Sequence, residues 1–201
     1  MIWEWLAQNY IEVLGAITGL IYLYFSINQI IWLWPLGIAT STLYIYVFYS
    51  SGLFADMGLQ LYYLIISIYG WQHWLKGGKN KNVSISEDSE LPVTALKLRK
   101  ILLLIVIVAV MTVLLGLVLS NIKNSSIPYW DAFTTSGSIV ATWMLARKYL
   151  ENWIFWIIID FVAMGTYIYK GLYPTVILFI VYTLMAFIGF KEWKKDIPEN
   201  R

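Results

Sequence analysis

The chain has 201 residues, of which 60% are hydrophobic and 13% charged, with a mean hydropathy of +0.67. A soluble domain carries about 25% charged residues, and one of this size could not hide so much apolar surface in a single core, so lipid is the solvent for most of it. The net charge of +2 excludes a nucleic-acid partner, the absence of cysteine excludes thiolate chemistry, and a lone histidine without a cluster excludes a zinc site.

Met1-Ile2-Trp3-Glu4 has no basic stretch and is read as lacking a cleavable signal peptide. A spanning helix needs roughly 20 mostly apolar residues. Seven segments qualify, at 10–27, 31–49, 57–75, 100–120, 130–146, 153–169 and 173–190. Pro35, just inside span 2, either kinks that helix or occupies its first turn, where its missing N–H costs little. The polar stretch 77–98, with Glu87-Asp88-Ser89-Glu90, reads as a solvated linker. Span 4 is apolar all round from Ile101 to Leu119 apart from Thr112 and Gly116, so it is expected to face lipid or a flat packing surface. The breaks at Arg147-Lys148 and Lys170-Gly171 are short and imply tightly packed antiparallel neighbours. Trp3, Trp5, Trp32, Trp34, Trp71, Trp74, Trp130 and Trp193 lie near span ends, where interfacial aromatic belts are expected.

Basic residues stay preferentially in the cytoplasm. With the N-terminus on side one, that side holds only Lys123 and Lys170, while the other twelve Lys and Arg fall on side two. Side two is therefore read as the cytoplasm, giving a multi-pass inner-membrane protein with its N-terminus outside and C-terminus inside.

A shift of 119 positions aligns the first three spans with the last three without a gap. Trp34 falls on Trp153, Gly52 on Gly171, Tyr63 on Tyr182, Gly70 on Gly189 and Trp74 on Trp193, and Glu12 falls on Asp131. Three helices per copy would invert the second copy, and span 4 undoes the inversion. The expected fold is an all-α membrane protein of two parallel three-helix repeats joined by a linker helix, a 3+1+3 plan in which transporters hold substrate between the repeats. The divisions are 1–76 for the first repeat, 77–98 for the loop, 99–121 for the linker helix, 122–193 for the second repeat and 194–201 for the tail.

Polar groups at bilayer depth are costly and mark candidate sites. Asp160 is the one carboxylate near mid-span; Glu12, Asp56 and Asp131 sit at outer ends. Trp153, Trp156, Asp160 and Tyr167 share a face of span 6. An anion flanked by rings suits a flat cation; the alternative is a structural aspartate bonded to a neighbouring helix or neutral through burial. Span 3 repeats the pattern with Gln60, Tyr63, Ser67, Gly70 and Trp74, where Gln60 either recognises a ligand or only joins helices. The small residues Thr134, Ser138, Ala141 and Thr142 on span 5 read as a packing stripe. His73 reads as interfacial. The candidate substrate-binding set is Gln60, Tyr63, Trp153, Trp156, Asp160, Tyr167 and Tyr182, between spans 2, 3, 6 and 7. No catalytic constellation, phosphate loop, metal motif or cofactor site is present in the sequence.

Several motifs resemble the PnuC family of bacterial vitamin transporters. They are Trp34-Pro35-Leu36-Gly37, the run from Ser51 to Gln60, Tyr69-Gly70-Trp71-Gln72-His73-Trp74, Leu145-Ala146-Arg147-Lys148, Glu151-Asn152-Trp153, Asp160 and the run from Tyr167 to Tyr173. The likeness covers the chain from span 1 to Trp193. It implies uptake of nicotinamide riboside, or of thiamine in other branches, by facilitated diffusion with cytoplasmic phosphorylation trapping the product. It also implies the 3+1+3 plan and a trimer. A membrane-embedded binding partner of a larger uptake complex is the alternative from a different class.

Overall fold

The computed structural model describes residues 10–50, 54–77, 91–121 and 127–197. Among the described residues there are seven α-helices: α1 (Tyr10–Ile27), α2 (Leu33–Ser50), α3 (Phe54–Lys76), α4 (Leu98–Ser120), α5 (Pro128–Ala146), α6 (Asn152–Tyr169) and α7 (Tyr173–Lys195). They follow the seven expected spans, with α7 running on to Lys195 as its last turns become charged. By length and hydropathy alone α4, α6 and α7 can cross a membrane, and Ala16–Ile27 of α1 is a shorter apolar stretch; α2, α3 and α5 are diluted by tyrosine, serine and threonine.

Local chemistry sets the helix ends. Pro35 is the third residue of α2, in its first turn, and Pro128 opens α5, positions where a missing N–H is tolerated. Three helices end through a left-handed residue: Gln29 (φ 54), Lys148 (φ 50) and Gly171 (φ 71). In each case the next residue's N–H reaches back to a carbonyl in the last turn: Ile30 to Phe25 at 2.8 Å, Tyr149 to Met144 at 3.0 Å and Leu172 to Tyr167 at 2.9 Å. These bonds satisfy carbonyls that the helix leaves unpaired.

In space, α2 lies on α3 and α6 on α7, while α1 packs against α7 and α3 against α5. α4 lies along α5 and inserts Leu104 and Val108, with Gly116 receiving the ring of Tyr129. Its other side exposes Leu103, Val106, Val110, Leu114 and Val118, as its uniform hydropathy led one to expect.

The core at one end of the bundle is built on tryptophan. Trp34 and Trp74 meet edge-on at 5.4 Å, Trp74 approaches Trp193 at 6.4 Å, and Trp193 meets Trp153 edge-on at 5.5 Å. Trp34 and Trp193 are fully buried. The belt expectation is therefore wrong for Trp34, Trp74 and Trp193, and the geometry suits a belt only at Trp32, Trp71 and Trp130, which are exposed. Trp3 and Trp5 lie outside the described residues.

The solvated-linker expectation also needs correction for 91–97. Thr94 N–H donates to the Lys148 carbonyl at 3.0 Å, and Leu150 N–H donates to the Thr94 carbonyl at 3.0 Å. The Glu151 carboxylate accepts from Leu96 N–H at 2.9 Å, and Val93 is buried. The segment is a strap laid across the α5–α6 turn. The acidic cluster at 87–90 lies outside the described residues.

Candidate functional site

A cavity of about 530 Å³ lies between α1, α2, α3, α5, α6 and α7. This falls within the ~300–1,000 Å³ typical of small-molecule sites. All seven candidate residues line it: Gln60 and Tyr63 from α3, Trp153, Trp156, Asp160 and Tyr167 from α6, and Tyr182 from α7. The α6 residues arrive together because steps of 3, 4 and 7 return to one helical face.

Asp160 is 5% exposed and accepts no hydrogen bond from any described residue. Among the described residues it is the only charged side chain in the lining. A buried carboxylate without a donor is expensive unless a cation meets it or burial keeps it neutral. Rings line the same cavity: Tyr167 lies 5.0 Å from Phe179, and Phe179 lies 5.5 Å from Tyr182. Tyr63 sits beside Ser138 on α5, and the Tyr182 hydroxyl closes on Gly19 of α1, where any side chain would collide with it. Gly37 leaves room in the same way for Ser67.

The tryptophan cluster adjoins one end of the cavity. Trp153 is shared between the two: it lines the cavity, yet it is 1% exposed and its ring lies flat against Gly189, where a Cβ would come within 2.6 Å. Trp34 meets Gly70 in the same way, at 2.5 Å. The indole N–H groups of Trp34 and Trp153 are buried without a partner among the described residues. Toward the other end, the Lys170 ammonium lies 3.3 Å from the Asp131 carboxylate, each about one-third exposed.

Two helices were missing from the expected site. α1 contributes Thr18, Tyr22 and Ser26, and α5 contributes Thr134, Thr135, Ser138 and Thr142. The α5 stripe had been read as packing. Three of its four residues, Thr134, Ser138 and Thr142, face the cavity, while Ala141 is fully buried as that reading had it, and Gly137 would bring a Cβ to 2.8 Å from Ile159. In α1 the signal was a four-residue recurrence of small polar and tyrosine residues within an otherwise apolar span. Ser41 and Tyr44 on α2 complete the wall, and Ser41 is as buried as Asp160.

The sequence pattern of the nicotinamide mononucleotide transporter family matches residues 9–195. The nicotinamide riboside transporter PnuC of Escherichia coli K12 is 28% identical over 216 residues, covering 96% of this chain and 88% of the relative. The riboflavin/roseoflavin transporter RibM of Streptomyces davaonensis is 25% identical, covering 90% of this chain and 83% of its own length. Among solved structures, that of the vitamin B3 transporter PnuC superposes with a TM-score of 0.73 at 23% identity, over 96% of this chain and 84% of the other.

Proposed function

Because the chain belongs to the nicotinamide mononucleotide transporter family, and is thus a multi-pass membrane transporter and not an enzyme, we propose that it takes up nicotinamide riboside by facilitated diffusion. The observation that carries this reading is the charge inventory of the cavity among the described residues: one buried carboxylate, no Lys or Arg, and aromatic rings from α3, α6 and α7. A flat aromatic cation gains both a counter-charge and cation–π contact there. A mononucleotide adds a phosphate that would be repelled by Asp160 and would meet no cation, an unpaired charge in a poorly hydrated site. Riboflavin, which is uncharged, gains nothing from the carboxylate. Thiamine is also an aromatic cation and is the second reading. In the cell, phosphorylation by a cytoplasmic kinase would add the charge that this cavity rejects and so trap the product.

The same reading includes two parallel three-helix repeats, 1–76 and 122–193, joined by the helix in 99–121, with the loop at 77–98 and the tail at 194–201. It includes an inner-membrane location with the N-terminus outside, supported by the twelve-to-two distribution of basic residues. A homotrimer in lipid follows from the resemblance. Reporter fusions at Lys79 and at the C-terminus should score cytoplasmic and one at Asn124 external; an external C-terminus would overturn the orientation.

Purified protein in liposomes tests the transport reading. Saturable uptake of nicotinamide riboside is expected without ATP or an imposed proton gradient, and the mononucleotide should not compete. Uphill uptake that collapses with an uncoupler would rule out uniport. Binding of thiamine but not nicotinamide riboside would install the second reading, and binding without uptake would make the protein a component of a larger complex.

A further inference from the structure

A second, smaller cleft of about 260 Å³ lies between the start of α4 and the end of α5, away from the cargo cavity. Lys100, Arg147, Trp143, Tyr149, Leu103 and Leu96 contribute to its lining, and among the described residues no acidic side chain does. We propose that this cleft binds the phosphate headgroup of an anionic phospholipid, with an acyl chain laid along the outer side of α4.

Arg147 is held for such a role. Its guanidinium donates to the Tyr69 hydroxyl at 2.9 Å and lies over the rings of Trp143 and Tyr149 at 5.8 and 5.9 Å. The Tyr69 bond raises its pKa above the ordinary guanidinium value, so it stays cationic. Tyr69 and Tyr149 take up at most part of a planar fork of five N–H donors. The remaining donors match an oxygen-rich phosphate, the ligand that a fixed guanidinium recognises best. Lys100 adds a second cation in the lining, and Lys97 and Arg99 stand exposed beside it.

The surroundings point to lipid over a soluble phosphate. Leu103 belongs to the cleft and is 59% exposed. From it the exposed side chains of Val106, Val110 and Leu114 continue along α4 as an apolar track. Trp143 and Tyr149 at a helix end have the amphipathic character that suits headgroup depth. Basic clefts between spanning helices are a recognised way to hold anionic headgroups. This inference stands independently of which solute the main cavity carries.

Native mass spectrometry of the purified full-length protein tests it, with phosphatidylglycerol, phosphatidylcholine and inorganic phosphate as separate probes. The wild type should retain one phosphatidylglycerol about tenfold more tightly than phosphatidylcholine. Lys100→Gln and Arg147→Gln should each cut that preference at least several-fold. Lys100 is exposed, so its variant should keep the wild-type melting temperature even if Arg147→Gln does not fold. Equal retention of the two lipids would overturn the proposal, as would an unchanged preference in folded Lys100→Gln. Displacement of the lipid by millimolar phosphate would reassign the cleft to free phosphate and sink the lipid reading.

Discussion

Trp74 on α3 donates its indole N–H to the Ala146 carbonyl at the end of α5, at 3.2 Å. Trp193 on α7, 119 residues further on, donates to the Ile27 carbonyl at the end of α1, also at 3.2 Å. Ala146 and Ile27 are themselves 119 residues apart, as are Gly70 and Gly189 beneath the facing rings, and Gln29 and Lys148 at the left-handed turns. Each half thus reaches across to the first helix of the other, through a tryptophan donor and a backbone carbonyl at the same offsets. Around the cavity the match breaks. Asp160 in the second half stands where Ser41 stands in the first, Trp156 where Gly37 stands, and Phe179 where Gln60 stands. The frame is common to both halves, and the charge and most of the ring area belong to one. The 119-residue repeat in the sequence is kept in the scaffold, while the cavity's carboxylate and most of its rings fall at positions where the two halves differ.

The shared frame should break hardest at its glycines. Gly70→Ala and Gly189→Ala each drive a methyl into an indole that is boxed in by other tryptophans. Overpacking of this kind costs about 1–3 kcal/mol, and the tryptophan box leaves no easy relaxation, so the upper end is expected for both. Thermal melts in detergent should fall together; a large fall in one half only would mean that the two halves are not held alike.

The divergent positions come next. Asp160→Asn keeps shape and hydrogen-bonding capacity but removes the charge. It should fold normally and bind nicotinamide riboside about tenfold more weakly, a loss of ~1.4 kcal/mol. Ser41→Ala, at the equivalent position, should change affinity by less than about threefold, since it removes only a neutral hydroxyl. Calorimetric titration of both variants measures the asymmetry directly. An Asp160→Asn protein with unchanged affinity would move recognition to Gln60 and the rings.

Smaller and again symmetric is the effect of deleting the cross-half hydrogen bonds. Trp74→Phe and Trp193→Phe keep much of the aromatic bulk but leave the Ala146 and Ile27 carbonyls short of a donor. Each should lower stability by about 1 kcal/mol, read as matched drops in melting temperature. If only Trp193→Phe mattered, the additional bond from Trp193 to the Ser26 carbonyl at 3.1 Å would be the cause.

Much of this was legible before any coordinates. Long apolar segments mark helices because unpaired backbone cannot be left in lipid. The 3.6-residue period put Asp160, Trp156 and Tyr167 on one face, and they line one cavity. What could not be read was depth. A tryptophan near a helix end looks the same in sequence whether it stands exposed, as Trp32 does, or closes a core, as Trp34 does. The strap at 91–97 was hidden because its apolar residues, Leu91, Val93 and Leu96, are too few to stand out beside a polar stretch, and its docking depends on a carbonyl freed by the Lys148 turn. The α5 stripe was visible, but periodicity alone does not say which neighbouring face meets a helix and which meets a cavity.

The smallest expected effect isolates the backbone of the common frame. Gln29 adopts φ 54, a conformation that disfavours side chains with a Cβ. Gln29→Gly removes that strain, worth about 1 kcal/mol, but frees the unfolded chain by roughly 0.5–1 kcal/mol. It also deletes the bond from Gln29 Nε2 to the Asp196 carboxylate at 2.6 Å, which is exposed and so contributes only a few tenths of a kcal/mol. These terms nearly cancel, and the melting temperature should hold to within the equivalent of ~0.5 kcal/mol. The same change at Lys148 would also remove a buried side chain whose ammonium lies 4.4 Å from the Trp74 ring, so only Gln29 reports the turn itself. A clear gain in stability would mean that the left-handed turn is strained in the first half, and a clear loss would mean that the Asp196 contact helps hold the two halves together.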